Sequence, residues 1–142
     1  MPMKANLNWP AKGYLSSNFG YRWGRLHSGI DIAAPLGTTV YAAEGGKVIF
    51  AGWRKGYGRT VIIDHTHYRT LYAHLHRYNV RAGQFVTALQ NIGAVGRSGN
   101  ARGVHLHFEF RDSNDQPHNP IPFLPNNNYI SMEDGTVRTG TM

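Results

Sequence analysis

The chain has 142 residues, enough for one domain with a real hydrophobic core, and its 41% hydrophobic and 12% aromatic content excludes a disordered polypeptide. There is no cysteine, which excludes disulfides and thiolate metal sites and leaves His, Asp or Glu to hold any metal. A formal net charge of +7 and a pI near 10.0 give a surface drawn to polyanions, whether nucleic acid, anionic lipid or an anionic cell-wall polymer.

The opening "MPMKANLNWP" lacks the apolar stretch of a signal peptide, and no run approaches the roughly 20 apolar residues of a membrane helix. The chain is therefore expected to be cytosolic, exported by another route, or trimmed of its leader. "HSGIDIAAP" then sets His27 four residues before Asp31, in a segment too glycine-rich for a good helix and too polar for a buried strand. In a straight strand the two would share a face but stand about 13 Å apart. Zinc bonds are only about 2 Å long, so a shared metal needs a bend, which Gly29 permits. A turn in which Asp31 satisfies local backbone donors is the alternative, and it leaves His27 unexplained.

Beyond this point, short apolar runs rich in Val, Ile, Tyr, Phe and Thr are separated by glycine, and long helical periodicity is missing. Strands are expected near 38–43, 46–53, 59–64, 69–75, 84–88 and 104–111, with Gly45-Gly46 as a hairpin turn and a short helical turn as the alternative within 78–92. In "LYAHL", Tyr72 and His74 share one face and Leu71, Ala73 and Leu75 the other. In "VHLHFEFR", His105, His107, Glu109 and Arg111 share one face, and Leu106, Phe108 and Phe110 take the core face. The two imidazoles are then about 7 Å apart at their Cα atoms, close enough to serve one small site; a solvated strand face is the alternative. Glu109 is read either as a hydrogen-bond partner of a histidine or as one half of an exposed salt bridge with an Arg. His65, His67, His76 and His118 are assigned to exposed loops.

The pattern describes an all-β, mostly antiparallel domain over residues 1–125, followed by a polar extension over 126–142. Two histidines and one carboxylate with an open fourth position make a catalytic zinc site. His27, Asp31 and one histidine of "HLH" would supply that set, leaving the other and His74 for proton transfer. No Glu fits the helical His-Glu-x-x-His pattern.

Over about residues 9–125 the sequence resembles the lysostaphin and LytM-type zinc endopeptidases, which cut peptide bonds in bacterial peptidoglycan. The resemblance is carried by "FGYRWGRLHSGIDIAAPLGTTVYAAEGGKVIFAG", "GYGRTVIIDH", "TLYAHL", "GAVGRSGNARGVHLHFEFR" and "NPIPFLP". It includes, in order, the family's His-x-x-x-Asp, Tyr-Ala-His-Leu and His-x-His elements. It implies Zn2+ held by His27, Asp31 and His107, and a catalytic pair of His74 and His105. It also implies a compact antiparallel β fold, the duplicated hybrid motif, with a loop-walled active-site groove. The implied activity is hydrolysis of peptidoglycan crosslinks by a monomer acting in the periplasm or cell wall. Both glycyl-glycine and D-alanyl-diaminopimelate bonds are cut within the family, and the choice stays open.

One departure falls in "GQFVTALQNIG", where Ala88 and Leu89 stand in a region in which the family usually has a glycine; this reads as a changed structural turn. Arg22, Arg25, Arg54, Lys55 and Arg59 are expected at the groove rim, where they would favour anionic wall polymers; plain solubility is the alternative. Two rival functions remain. One is a non-catalytic relative that activates cell-wall amidases by binding. The other is a nucleic-acid binder, suggested only by charge and unsupported by any aromatic RNA-binding motif or basic recognition helix.

Overall fold

The computed structural model describes residues 4–125. Twelve strands follow in chain order among them: β1 (Tyr14–Ser17), β2 (Gly20–Arg22), β3 (Arg25–His27), β4 (Ile30–Ala33), β5 (Thr39–Tyr41), β6 (Gly46–Arg54), β7 (Gly58–Asp64), β8 (Tyr68–Tyr78), β9 (Phe85–Val86), β10 (Asn91–Val95), β11 (His105–Asp112) and β12 (Pro117–His118). A 3-10 turn, Ile121–Phe123, closes the series. No helix of the described residues is long and apolar enough to cross a membrane.

The main sheet runs β1-β4-β11-β8-β7-β6-β9, with β10 joining β8 to β5 and β12 added to β11. Its pairings are antiparallel, and β6, β7 and β8 are joined in succession by the short connections that this arrangement allows. β2 and β3 form a separate two-stranded ribbon. The core is made where alternation turns apolar side chains to one side: Ile30 and Ile32 of β4, Val61 and Ile63 of β7, and Leu106, Phe108 and Phe110 of β11 are all buried. The first described residues complete it. Leu7 donates its N–H to the Phe123 carbonyl at 2.9 Å, and the Trp9 indole donates to the Pro125 carbonyl at 3.0 Å.

The six expected strands are present with shifted ends. β1 to β4, β10 and β12 were not expected; each has five residues or fewer, too short to show a clear period. Ile30 and Ile32 flank Asp31 and are buried, so this polar-looking segment is a core strand after all. No helical turn occurs within 78–92, which holds β9, turns and the start of β10. Gly45-Gly46 does not make a hairpin, because β5 pairs with β10 while β6 pairs with β7 and β9. Glycine is needed at 46 for a different reason: a Cβ there would collide with the Asp64 carbonyl. Leu89 has a left-handed φ of 67°, a conformation that glycine adopts freely and leucine does not. The expected extension over 126–142 lies outside the described residues.

Candidate metal centre

His27 ends β3 in the ribbon, and Asp31 lies inside β4 of the main sheet, so Ser28 and Gly29 carry the chain from one sheet to the other. Gly29 packs directly against β11, where a Cβ would collide with the Phe108 carbonyl. The glycine therefore serves close approach, and the change of sheet supplies the bend. It brings His27 Nε2 to 3.3 Å from Asp31 Oδ2. In the neighbouring strand His107 is the register partner of Asp31. Its Nδ1 stands 2.9 Å from Asp31 Oδ1, and His105 Nε2 is 3.6 Å from the same oxygen. One ligand atom each from His27, Asp31 and His107 all lie within 4.8 Å of one another.

His74 reaches the same place by a break in its strand. Between Arg59 and Val61 of β7, β8 carries one residue more than its partner, a β-bulge, and His74 there has a left-handed φ of 60°. The bulge separates His74 from Tyr72. Tyr72 packs on Phe108 in the core at 5.4 Å between ring centroids, whereas His74 faces His105 at 4.9 Å. The expectation that Tyr72 and His74 share a face fails because alternation holds only in an unbroken ladder.

Each imidazole is held from behind. Nδ1 of His27 lies 2.8 Å from the Asn18 carbonyl, Nδ1 of His74 2.7 Å from that of Ser98, and Nδ1 of His105 3.0 Å from that of Gly103. A carbonyl only accepts, so Nδ1 carries the hydrogen in all three and Nε2 keeps its lone pair. His107 is turned the other way: its Nε2 donates to Glu109 Oε2 at 2.8 Å, and its Nδ1 faces Asp31.

Glu109 is fully buried. Its Oε2 also accepts from Ser28 Oγ at 2.6 Å and from the Tyr57 hydroxyl at 2.8 Å, while Oε1 accepts from Arg111 Nε at 2.6 Å. Glu109 thus joins both sequence-based alternatives, histidine partner and arginine partner, but as a buried group and not an exposed one.

Burial alone would raise the Asp31 carboxyl, but hydrogen bonds from His107 and His27 and the nearby imidazoles hold it well below the usual carboxylate range. Burial works the same way on Glu109 and is likewise outweighed, by His107, Ser28 and Arg111, which hold it at about 2. Burial would lower His107, yet the two carboxylates beside it push it up to about 9. His74 has no such carboxylate contact, and burial takes it below its ordinary value. The donor set of two imidazole nitrogens and one carboxylate suits zinc, whereas magnesium and calcium prefer all-oxygen shells. The hydrogen-bonded carboxylate behind His107 is the usual support of a metal-ligating histidine.

The site opens into a groove of about 520 Å³. All five expected site residues line it, with Tyr57, Arg22, Arg25 and Arg102. Arg102 was not foreseen, and neither were the supporting roles of Ser28 and Tyr57. Of the other expected rim residues, Arg54 lies over the Tyr57 ring at 5.0 Å, and Lys55 and Arg59 are not among the lining residues. Among the remaining histidines only His67 sits in an exposed loop. His76 is exposed but belongs to β8, His118 is half-buried in β12 and bonded to Asp112 at 2.7 Å, and His65 is half-buried between Gly45 and Thr70.

Residues 25–120 match Peptidase family M23. The chain is 46% identical over 120 residues to DD-carboxypeptidase/endopeptidase Mpg of Neisseria meningitidis, an alignment covering 75% of this chain and 26% of that protein. It is 45% identical over 126 residues to the lipoprotein NlpD/LppB homolog of Pseudomonas aeruginosa, covering 87% and 41%. The chain therefore spans only about a quarter to two-fifths of these relatives. The catalytic domain of the antimicrobial peptidase lysostaphin from Staphylococcus simulans superposes with a TM-score of 0.68 at 35% identity, over 79% of this chain and 90% of that one. The site elements and these matches together show that the chain belongs to peptidase family M23, of the lysostaphin and LytM type.

Proposed function

We propose that the chain is a zinc-dependent endopeptidase that hydrolyses peptide crosslinks of bacterial peptidoglycan, working outside the cytoplasm. The observation that carries this reading is the convergence of His27, His105 and His107 on Asp31 with His74 packed against His105 and His107, three of the four imidazoles having Nδ1 tied back to main-chain carbonyls so that Nε2 points inward. His27 Nε2, His107 Nδ1 and the Asp31 carboxylate would hold zinc, with Glu109 orienting His107. A bound zinc ion supplies Lewis acidity and eases deprotonation of the attacking water.

His74 and His105 do the proton work. Their Nε2 lone pairs face the groove, so one of them accepts the proton of the attacking water and the imidazolium so formed passes it from Nε2 to the leaving amine. The fall in the His74 pKa caused by burial keeps it neutral, in the form a general base needs. Once protonated at Nε2, the same imidazole is also a donor to the negative charge developing on the scissile carbonyl oxygen. An amidase activator acting only by binding would need no such set of aimed nitrogens, and the complete donor set favours the enzyme.

The test is digestion of purified peptidoglycan before and after chelation, with zinc added back and the products identified by mass spectrometry. Peptide cleavage that stops with chelator and returns with zinc is expected, with glycan strands intact. Release of reducing sugar ends, or a protein that takes up no zinc, would overturn the reading.

A further inference from the structure

His74 stands where the ladder between β7 and β8 is broken. The bulge lies between two register pairs, Val61 with Tyr72 and Arg59 with Leu75. A bulge bends its strand and leaves the extra residue unpaired, and the left-handed φ of 60° at His74 is uncommon for a residue with a side chain. Such a conformation persists only where the surroundings hold it, and here part of the hold comes from a third segment. Ser98 lies in the loop between β10 and β11 and sends its hydroxyl to the Arg59–Leu75 pair. Its Oγ accepts the main-chain N–H of Arg59 at 3.0 Å and donates to the Leu75 carbonyl at 2.7 Å. A hydroxyl has one hydrogen to give and lone pairs to receive, so one side chain ties both strands beside the bulge.

The carbonyl of the same residue accepts from His74 Nδ1 at 2.7 Å. The loop is also pressed against the turn before β7: a Cβ on Gly58 would collide with Ser98, and one on Gly99 with the Gly58 main chain. Asn100 donates its N–H to the Gly56 carbonyl at 3.0 Å, and His74 donates its own to the Tyr57 carbonyl at 2.8 Å. These contacts hold the loop to the turn. The Ser98 hydroxyl fixes it to β8, at the residue next to His74.

We propose that Ser98 is a positioning residue for His74: its hydroxyl spans the bulged ladder so that its own carbonyl holds the imidazole with Nε2 bare and aimed into the groove. The proposal rests on the endopeptidase reading, which gives His74 a share in proton transfer. Which ring nitrogen carries the hydrogen is set by the bond that the other nitrogen makes. Without the hydroxyl the loop loosens, the carbonyl drifts from Nδ1, and the hydrogen passes to Nε2, where it prevents that atom from accepting a proton. The zinc-ligand set of His27, Asp31 and His107 is not touched.

Ser98→Ala keeps the carbonyl and removes the bridge. In the zinc-loaded protein, kcat on a soluble crosslinked peptide should fall about 10–100-fold, the effect of a small misplacement, with KM and zinc content unchanged. Two-dimensional 15N NMR of the imidazoles reads the aim without turnover. Neutral His74 should carry its hydrogen on Nδ1 in the native protein and on Nε2, or shared between the two, in Ser98→Ala. Tyr72→Phe deletes a buried core hydroxyl and should change neither reading; the same changes there would mark general loosening and overturn the proposal. It is equally overturned by native His74 protonated on Nε2, by a native kcat in Ser98→Ala, by a lowered kcat with the hydrogen still on Nδ1, or by loss of zinc. If the native protein cuts no crosslinked peptide, the endopeptidase reading fails, and the NMR comparison alone decides the role of Ser98. Should Ser98→Ala not fold, Ser98→Cys, a weaker donor and acceptor, is judged by the same criteria, and failure of both to fold overturns the proposal.

Discussion

Replacing Glu109 by Gln preserves the side chain's volume and removes its charge, and the structure gives the consequence. Two carboxylate oxygens offer about four lone-pair sites. Here four donors crowd the carboxylate: Ser28, Tyr57 and His107 on Oε2 and Arg111 on Oε1. A glutamine keeps one oxygen and turns the other acceptor into an NH2. In one orientation that NH2 faces the Arg111 N–H, and in the other it faces three donors, so neither is satisfied. The variant also breaks a buried ion pair, which costs about 3–5 kcal/mol when one partner remains. For a domain of this size that corresponds to a fall in Tm of about 10–15 °C. With His107 no longer fixed from behind, zinc affinity should drop about 10–100-fold. Thermal unfolding by circular dichroism and zinc competition against a chromophoric chelator measure the two effects. A Glu109→Gln protein with unchanged Tm and unchanged zinc affinity would refute the reasoning.

The two histidines of "HLH" should separate by metal content. His107→Ala is expected to lose zinc and activity together, while His105→Ala and His74→Ala keep zinc and lose about 10²–10⁴-fold in turnover, the range of a general acid or base; zinc lost from His105→Ala but kept in His107→Ala would exchange the roles. A pH effect should arise far from the groove, at His65. Hydrogen bonds run from the Ala43 N–H to Tyr72, Thr70 and His65 Nε2, and His65 Nδ1 donates to the Gly45 carbonyl, a chain complete only with a neutral imidazole. Burial holds this group below its ordinary value of 6.5, so its stabilisation is full above pH 6.5 and is lost as the pH falls toward the lower folded-state pKa. Melting curves from pH 7.5 to 5 should therefore decline more steeply for the native protein than for His65→Gln, and parallel declines would contradict this.

The unbroken parts of the fold were readable in advance and the broken parts were not. Alternation in β11 holds over eight residues, which is why Leu106, Phe108 and Phe110 were placed in the core and His105 and His107 opposite them. The same rule failed at Tyr72 and His74, because one extra residue in β8 reverses the faces and leaves no compositional mark. It was silent over β1 to β4, whose three- and four-residue strands show at most two full periods. The carboxylate behind His107 was partly visible, since Glu109 shares its strand face. The partners of Glu109 from other segments, Ser28 and Tyr57, lie 81 and 52 residues away in the chain and carry no local signal.

The carbonyls of Asn18, Ser98 and Gly103 that hold three imidazoles are main-chain groups, and every amino acid carries the same one. Gly103 has open space around it, and no positive φ demands glycine there. Side-chain identity at Gly103 is thus nearly irrelevant to the aim of His105. What matters is the number of residues that bring each carbonyl to its ring, nine from Asn18 to His27 and two from Gly103 to His105. These loops can drift in composition over evolutionary time without disturbing the centre, whereas a single insertion or deletion swings an imidazole away from it. Among homologues, loop length here is a better indicator of a working centre than loop sequence.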